Sequence, residues 1–355
     1  MIWRILLGIG AAGAVFFVAT PRGRYLARGG WEETRILAHR RAIADMVKDS
    51  SVDPKTRGKL GLVLEARQYA VDRLGLRARE SFTTFTQLRS DTLVLVLSVA
   101  YRDRLALRTW WWPVVGRVPY KGFFDFAAAQ REQASYDKDG YDTDLRPSAA
   151  FSTLGWFNDP LLSTTLRADS TLLVDTVIHE LLHNTYWITG DVSFNESFAS
   201  FVGRTGAADF FRDRGDSANV ARLRRARPAE RALSAFYAAL YRELDSAFKA
   251  HPDAGERGTR IAARDTIFAR GRSVLASDIA PMFGITDTTW AKRFRLNIAT
   301  VLARRVYRDD VDEFDAVLAA SGGDLRTAIT RIGDAAMRAP KGKAFDSVRA
   351  AAAAR

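Results

Sequence analysis

The 355-residue chain has no cysteine. Disulfide frameworks, thiolate zinc fingers, iron–sulfur clusters and cysteine nucleophiles are therefore excluded, and any metal must be held by His, Asp, Glu or water. Histidine is scarce as well, with four in all: His39, His179, His183 and His251. No internal repeat and no linker-like stretch breaks residues 30–340. Hydrophobic (47%) and charged (26%) fractions are ordinary, which excludes collagen-like and wholly disordered classes. Acidic residues are in deficit, 41 Asp+Glu against 53 Lys+Arg, for a net charge of +12. The clearest basic cluster is Arg222, Arg224, Arg225, Arg227 and Arg231. It has no interleaved aromatic platform or glycine-rich loop, so it reads as a solvated helix face, and no nucleic-acid partner is expected.

One apolar run stands out. Ile5 to Ala19 has no polar side chain over 15 residues, short of the ~20 that a bilayer core needs but long enough for a short span or a secretory segment. Val18-Ala19-Thr20 followed by Pro21 is a poor cleavage site, so residues 1–24 are expected to form an N-terminal membrane anchor. Arg22, Arg24 and Arg28 outnumber Arg4 and the terminal amine, a bias that by itself would keep the body in the cytoplasm.

Past this run, residues 32–48 show helical spacing, and Asp53-Pro54 is a cap-and-start signal for a helix reaching Leu74. Thr92 to Ala100 reads as a buried strand, pairing through the turn at 101–104 with a second β segment from Ala106 to Val118 that carries Trp110, Trp111 and Trp112. Alternation puts some of the three tryptophans outward, and as a group they read as a core wall rather than a ligand cage. A helix is expected over 122–135, a turn-rich stretch over 137–146 and an extended one over 147–159. From Thr171 on, helices are expected over 171–188, 194–213, 217–250, 257–275, 289–319 and 323–338. The fold class is thus α+β and predominantly α-helical, with a small β region before a helical C-terminal half. Residues 25–340 are read as a single catalytic domain and 341–355 as a flexible tail.

The chemistry concentrates in His179-Glu180-Leu181-Leu182-His183. Residues four apart on a helix stack on one face, so both imidazoles can converge on one Zn²⁺, with positions left for a third ligand and a water. Glu180 projects beside them, placed to accept a proton rather than to bind metal. Leu173, Val174, Val177, Ile178, Leu181 and Leu182 make the helix apolar almost all round. Two histidines and a glutamate on such a helix with no metal would cost several kcal/mol in desolvation. The third ligand is expected to be Glu196, since 12 residues after His183 suffice to reverse the chain and open an antiparallel helix. Ala199 and Ser200 would let the two helices approach. Asp191 is the competing ligand, and Asp175, one turn before His179, suits a partner for an imidazole N–H. His251 reads as a helix-end loop residue and His39 as a surface one.

This motif resembles that of the gluzincin zinc metallopeptidases, in which His-Glu-x-x-His is followed by a helix bearing a Glu ligand. More narrowly, the chain resembles the bacterial family of predicted aminopeptidases. The stretches that carry this are Trp111-Trp112-Pro113 through Phe124, Ser152 through Pro160, the two metal motifs, and Leu296-Asn297 through Tyr307. The resemblance implies a gluzincin-like fold, a Zn²⁺ cofactor held by His179, His183 and Glu196, Glu180 as catalytic base, and a peptide substrate. It suggests Tyr307, and after it Tyr120, as donor to the developing oxyanion. It also places the protein in the cell envelope, with the catalytic domain periplasmic or extracytoplasmic, against the arginine bias. Two departures are the missing lipidated cysteine of a lipoprotein signal, for which the apolar N-terminus would substitute as anchor, and Ile298 where the family has a second asparagine. Asp159 and Asp191 are the candidates for binding a substrate α-ammonium. An endopeptidase, or a catalytically inactive metal-binding scaffold at the membrane, are the alternatives to a zinc aminopeptidase.

Overall fold

The computed structural model describes residues 15, 17–112, 116–148, 160–287, 289–305 and 311–353. The chain is predominantly helical with few strands, an α+β arrangement. Helix α1 (Pro21–Ala38) leads into a two-residue strand β1 (Arg41–Ala42) and a short α2 (Ile43–Lys48). The helix expected over 32–48 is therefore broken at residues 39–42, where β1 pairs with β2 (Thr84–Thr86). Helix α3 (Pro54–Asp72) starts where the sequence signalled: the Asp53 carboxylate accepts from Thr56 N at 2.8 Å and Pro54 fills the first turn.

Strand β3 (Val94–Ala100) is the centre of a three-stranded antiparallel sheet. Its partners differ from those expected. Between it and the next strands lies a separate hairpin, β4 (Trp110–Trp112) with β5 (Gly116–Val118), and only a single bridge, Ala100 to Leu107, joins β3 to the segment thought to pair with it. The true neighbours are β6 (Lys121–Phe123) and, across helix α4 (Phe126–Lys138), β7 (Asp142–Ser148). The stretch read as turn-rich, 137–146, keeps a turn only around 139–141; from Asp142 it is strand, with its polar side chains used as joints. The Asp142 carboxylate is buried and takes a bidentate grip from Arg264 plus a hydrogen bond from Ile298 N at 2.9 Å. Asn297 donates to Thr143 O at 2.9 Å and accepts from Thr300 N at 2.9 Å. Leu296-Asn297 is therefore a strap between sheet and helix, and the fully buried Ile298 fills apolar core beside it. Of the three tryptophans, Trp110 packs on Tyr136 at 6.3 Å and Trp111, next along the strand, is exposed, as alternation along β4 requires.

A parallel strand β8 (Leu161–Leu162) beside β2 and a one-turn α5 (Ser163–Leu166) precede the helical half. There follow α6 (Ser170–His183), α7 (Val192–Asp213), α8 (Ser217–Lys249), α9 (Arg257–Val274), α10 (Thr289–Arg293), α11 (Ile298–Arg305), α12 (Val311–Ala320), α13 (Leu325–Met337) and α14 (Ala344–Ala353). The helix expected to run to 188 stops at His183, and the one expected over 289–319 is interrupted between α10 and α11. Glycines 190, 215, 322 and 323 take positive φ at the breaks, as their positions suggested. The end expected to be a flexible tail forms α14 instead, with Ala344 and Val348 buried in the main core. That core is built from α3, α6, α7, α12, α13 and α14, and a second one from α8, α9 and α11. Most of the apolar N-terminal run lies outside the described residues; among those described, no helix is long and apolar enough to cross a membrane.

Candidate metal centre

Helix α6 is started by Asp169, whose carboxylate accepts from Thr171 N at 3.0 Å and Leu172 N at 3.1 Å. Leu173, Val174, Val177, Ile178, Leu181 and Leu182 form its buried stripe. The helix is not buried all round: Leu172 is exposed, and His179, Glu180 and His183 lie on a half-buried flank. Helix α7 is anchored by its other face. Phe194, Phe198 and Phe201, at i, i+4 and i+7, stack against Phe314 at centroid distances of 5.7, 5.6 and 5.4 Å. Such pairs add about 0.5–1.5 kcal/mol each beyond burial and fix the rotation of α7. Glu196, two residues past Phe194, then points the opposite way, toward α6.

Close approach of the two helices depends on Gly203 and Gly206. A Cβ at 203 would lie 2.8 Å from Asp175 O and 3.1 Å from His179 Cβ, and one at 206 would lie 3.1 Å from Ile178 Cδ1. Ala199 is buried at the same crossing, as its size suggested, but the tightest contact is at the glycines.

The result is a compact donor set. His179 Nε2 lies 3.5 Å from one Glu196 oxygen and His183 Nε2 lies 3.5 Å from the other. The imidazole rings are edge to face at 4.9 Å, and ligand atoms of all three residues lie within 4.8 Å of one another. Among the described residues no other group of three His, Asp or Glu is so placed. Two donors bound to one zinc at ~2.1 Å and a tetrahedral angle are ~3.4 Å apart, so the spacing fits that ion. Each of the three side chains is 17% exposed, leaving an open side for water.

The three side chains shift one another's titration. Burial, reinforced by His179, pushes the His183 pKa down to about 4 against the pull of Glu196, so at neutral pH its imidazole has a free lone pair. Burial also disfavours charge on His179, but the hydrogen bond to Glu196 and the carboxylates of Glu180, Glu196 and Asp175 outweigh it and raise the pKa. Burial would raise the Glu196 pKa; the His179 hydrogen bond and the electrostatic pull of the two imidazoles reverse that and hold it below the usual carboxylate value.

The other candidates are placed elsewhere. Asp191 caps α7, accepting from Phe194 N at 3.1 Å, and is not in the donor set. Asp175 lies beneath Gly203 and influences His179 through its charge. His251 pairs with Glu256 at 3.0 Å in the turn after α8, and His39 is exposed. Arg222 pairs with Asp169 at 3.4 Å and Arg227 with Asp315 at 2.7 Å, so part of the basic cluster is neutralised. Tyr120 is exposed beside β6. Tyr307 and Asp159 lie outside the described residues. Sequence reading missed the role of Gly203, although a glycine in mid-helix signals close approach. It also missed Asn195, whose side chain accepts from Ile188 N at 2.8 Å and donates to Ile188 O at 2.9 Å, locking the α6–α7 loop.

Two imidazoles and a carboxylate thus converge from two neighbouring helices, with Glu180 next to His179 on α6. The chain belongs to the family described as "Putative aminopeptidase", whose model matches residues 24–343. No curated protein and no solved structure matches it.

Proposed function

We propose that this protein is a zinc-dependent peptidase of gluzincin type, acting as an aminopeptidase. The observation that carries the reading is the His179–His183–Glu196 donor set with Glu180 on the same turn of α6. His179, His183 and Glu196 would hold the ion; Asp175, buried one turn away, adds negative charge behind His179. Zinc in such a site supplies Lewis-acid polarisation of the scissile carbonyl and lowers the pKa of water to ~7. Glu180 accepts the proton from the attacking water and delivers it to the departing amine. Tyr307 is the proposed donor to the oxyanion. Residues 1–24 are proposed as membrane anchor, with the catalytic body on the extracytoplasmic side of the cell envelope.

The test is zinc content and peptide hydrolysis for wild type and Glu180→Gln. We expect about one zinc per chain in both, with hydrolysis reduced by roughly 10²- to 10⁴-fold in the variant. Wild-type protein that holds zinc yet cleaves nothing in a peptide library would overturn the peptidase reading. Comparing peptides with free and acetylated N-termini separates aminopeptidase from endopeptidase action.

A further inference from the structure

Four residues past His183, Trp187 sets its indole edge to face on the His183 imidazole, 5.4 Å between centroids and 75° between planes. It is nevertheless 49% exposed. A half-exposed indole is unremarkable on a loose loop, but this loop is fixed on both sides. Tyr186, just before it, lies so close to Gly333 that any Cβ there would collide with its ring, and it also packs on Phe198 at 6.1 Å. Ile188, just after it, is held by both hydrogen bonds of the buried Asn195 side chain. Thr185 Oγ1 donates to Leu181 O at 2.9 Å and accepts from Arg77 N at 2.9 Å. The backbone thus presents Trp187 to solvent at the donor set by construction. Val192 is 51% exposed and sits one helical turn before Glu196, on the same face of α7. Two exposed apolar side chains therefore each lie four residues from a donor residue, Trp187 within the loop that joins α6 to α7 and Val192 at the start of α7.

We propose that Trp187, together with Val192 at the start of α7, forms the apolar wall of the subsite flanking the scissile bond and selects peptides with a bulky apolar residue, such as Leu or Phe, at that position. The inference rests on the peptidase reading and adds the substrate class. A rigid aromatic wall loses little conformational freedom on binding, and an apolar side chain laid on it removes area of both partners from water. Glycine at the same position leaves the indole exposed.

The test uses the full-length zinc-loaded protein and a set of alanine-based hexapeptides in which Leu, Phe or Gly occupies each position in turn. Cleavage sites are read by mass spectrometry. Wild type should prefer Leu and Phe over Gly beside the cleaved bond by tenfold or more in kcat/KM. Trp187→Ala should reduce that ratio by roughly tenfold with zinc content retained, and Trp187→Phe should keep most of it. In parallel, dissociation constants for the Leu and Gly peptides are measured calorimetrically in Glu180→Gln, with and without Trp187→Ala. The ratio should collapse in the double variant. An unaltered ratio in Trp187→Ala, or equal loss for both peptides together with loss of zinc, would show that Trp187 only props His183 and would overturn the inference. If wild type cleaves no peptide while the dissociation ratio still depends on Trp187, the hydrolase reading fails and the apolar subsite stands.

Discussion

Gly203 of α7 rests against Asp175 of α6 so closely that a Cβ on the glycine would lie 2.8 Å from the Asp175 carbonyl oxygen, with His179 Cβ 3.1 Å away. Backbone cannot rotate aside, so Gly203→Ala must push the helices apart. It should cost about 1–3 kcal/mol in denaturant unfolding and weaken zinc binding, because Glu196 moves with α7. Gly206→Ala meets only side-chain ends, Leu74 Cδ1 at 3.0 Å and Ile178 Cδ1 at 3.1 Å, and should be milder on both counts. Equal effects at the two positions would contradict this account.

Metal removal gives a second prediction. If folded chain alone binds zinc, free ion at a thousand times its dissociation constant should stabilise by about 4 kcal/mol, seen as a higher melting temperature that a chelator reverses. Glu196→Ala removes the oxygen donors that lie 3.5 Å from each imidazole. Its melting temperature should respond little to zinc or chelator. A full zinc-dependent shift in that variant would mean that Glu196 is not a ligand.

Asp175 sets a pH dependence. Burial raises its pKa to about 6, with Glu230 adding to the rise and Arg204 and His179 opposing it. Between about pH 4 and pH 6 the folded chain therefore binds a proton that the unfolded chain has released, and stability contributed by this group falls as pH rises through that window. In zinc-free protein, Asp175→Asn should gain on wild type from pH 4 to pH 7 by up to roughly 3 kcal/mol. A difference that stays flat across the window would rule the assignment out. The measurement is urea unfolding at a series of pH values.

The Asp142–Arg264 pair tests the joint between sheet and helices. Both side chains are buried, and Asp142 also accepts from Ile298 N at 2.9 Å. Asp142→Ala leaves the buried Arg264 guanidinium with Asp265 as its remaining carboxylate and removes the acceptor for Ile298 N, and should cost up to about 3–5 kcal/mol. Adding Arg264→Met should recover much of that loss. Zinc stoichiometry should survive both changes, since neither residue belongs to the donor set.

The metal motif was readable from sequence because its geometry is local: four residues apart on one helix fixes which side chains share a face. The helix start at Asp53-Pro54 was equally local, a carboxylate accepting from an N–H of the first turn. Strand pairing was not. Residues 142–146 read as part of a turn-rich stretch because Asp142 and Thr143 are polar, and nothing nearby in sequence announces that Arg264 and Asn297 meet them. The terminal helix was missed for the same reason. An alanine-rich segment has helix propensity, but Ala344 and Val348 become ordered only where the main core covers them.

By itself the sequence determined that a metal would meet imidazole and carboxylate rather than thiolate, and that two imidazoles would share one helical face. It also supplied a carboxylate at a chain distance that lets a second helix return. Which carboxylate arrives was decided only in three dimensions. Asp191 is spent capping α7, the phenylalanine stack turns Glu196 the other way, and Gly203 removes the side chain that would hold the helices apart. Those outcomes depend on contacts between residues far apart in the chain, whose energies exist only once the helices have packed.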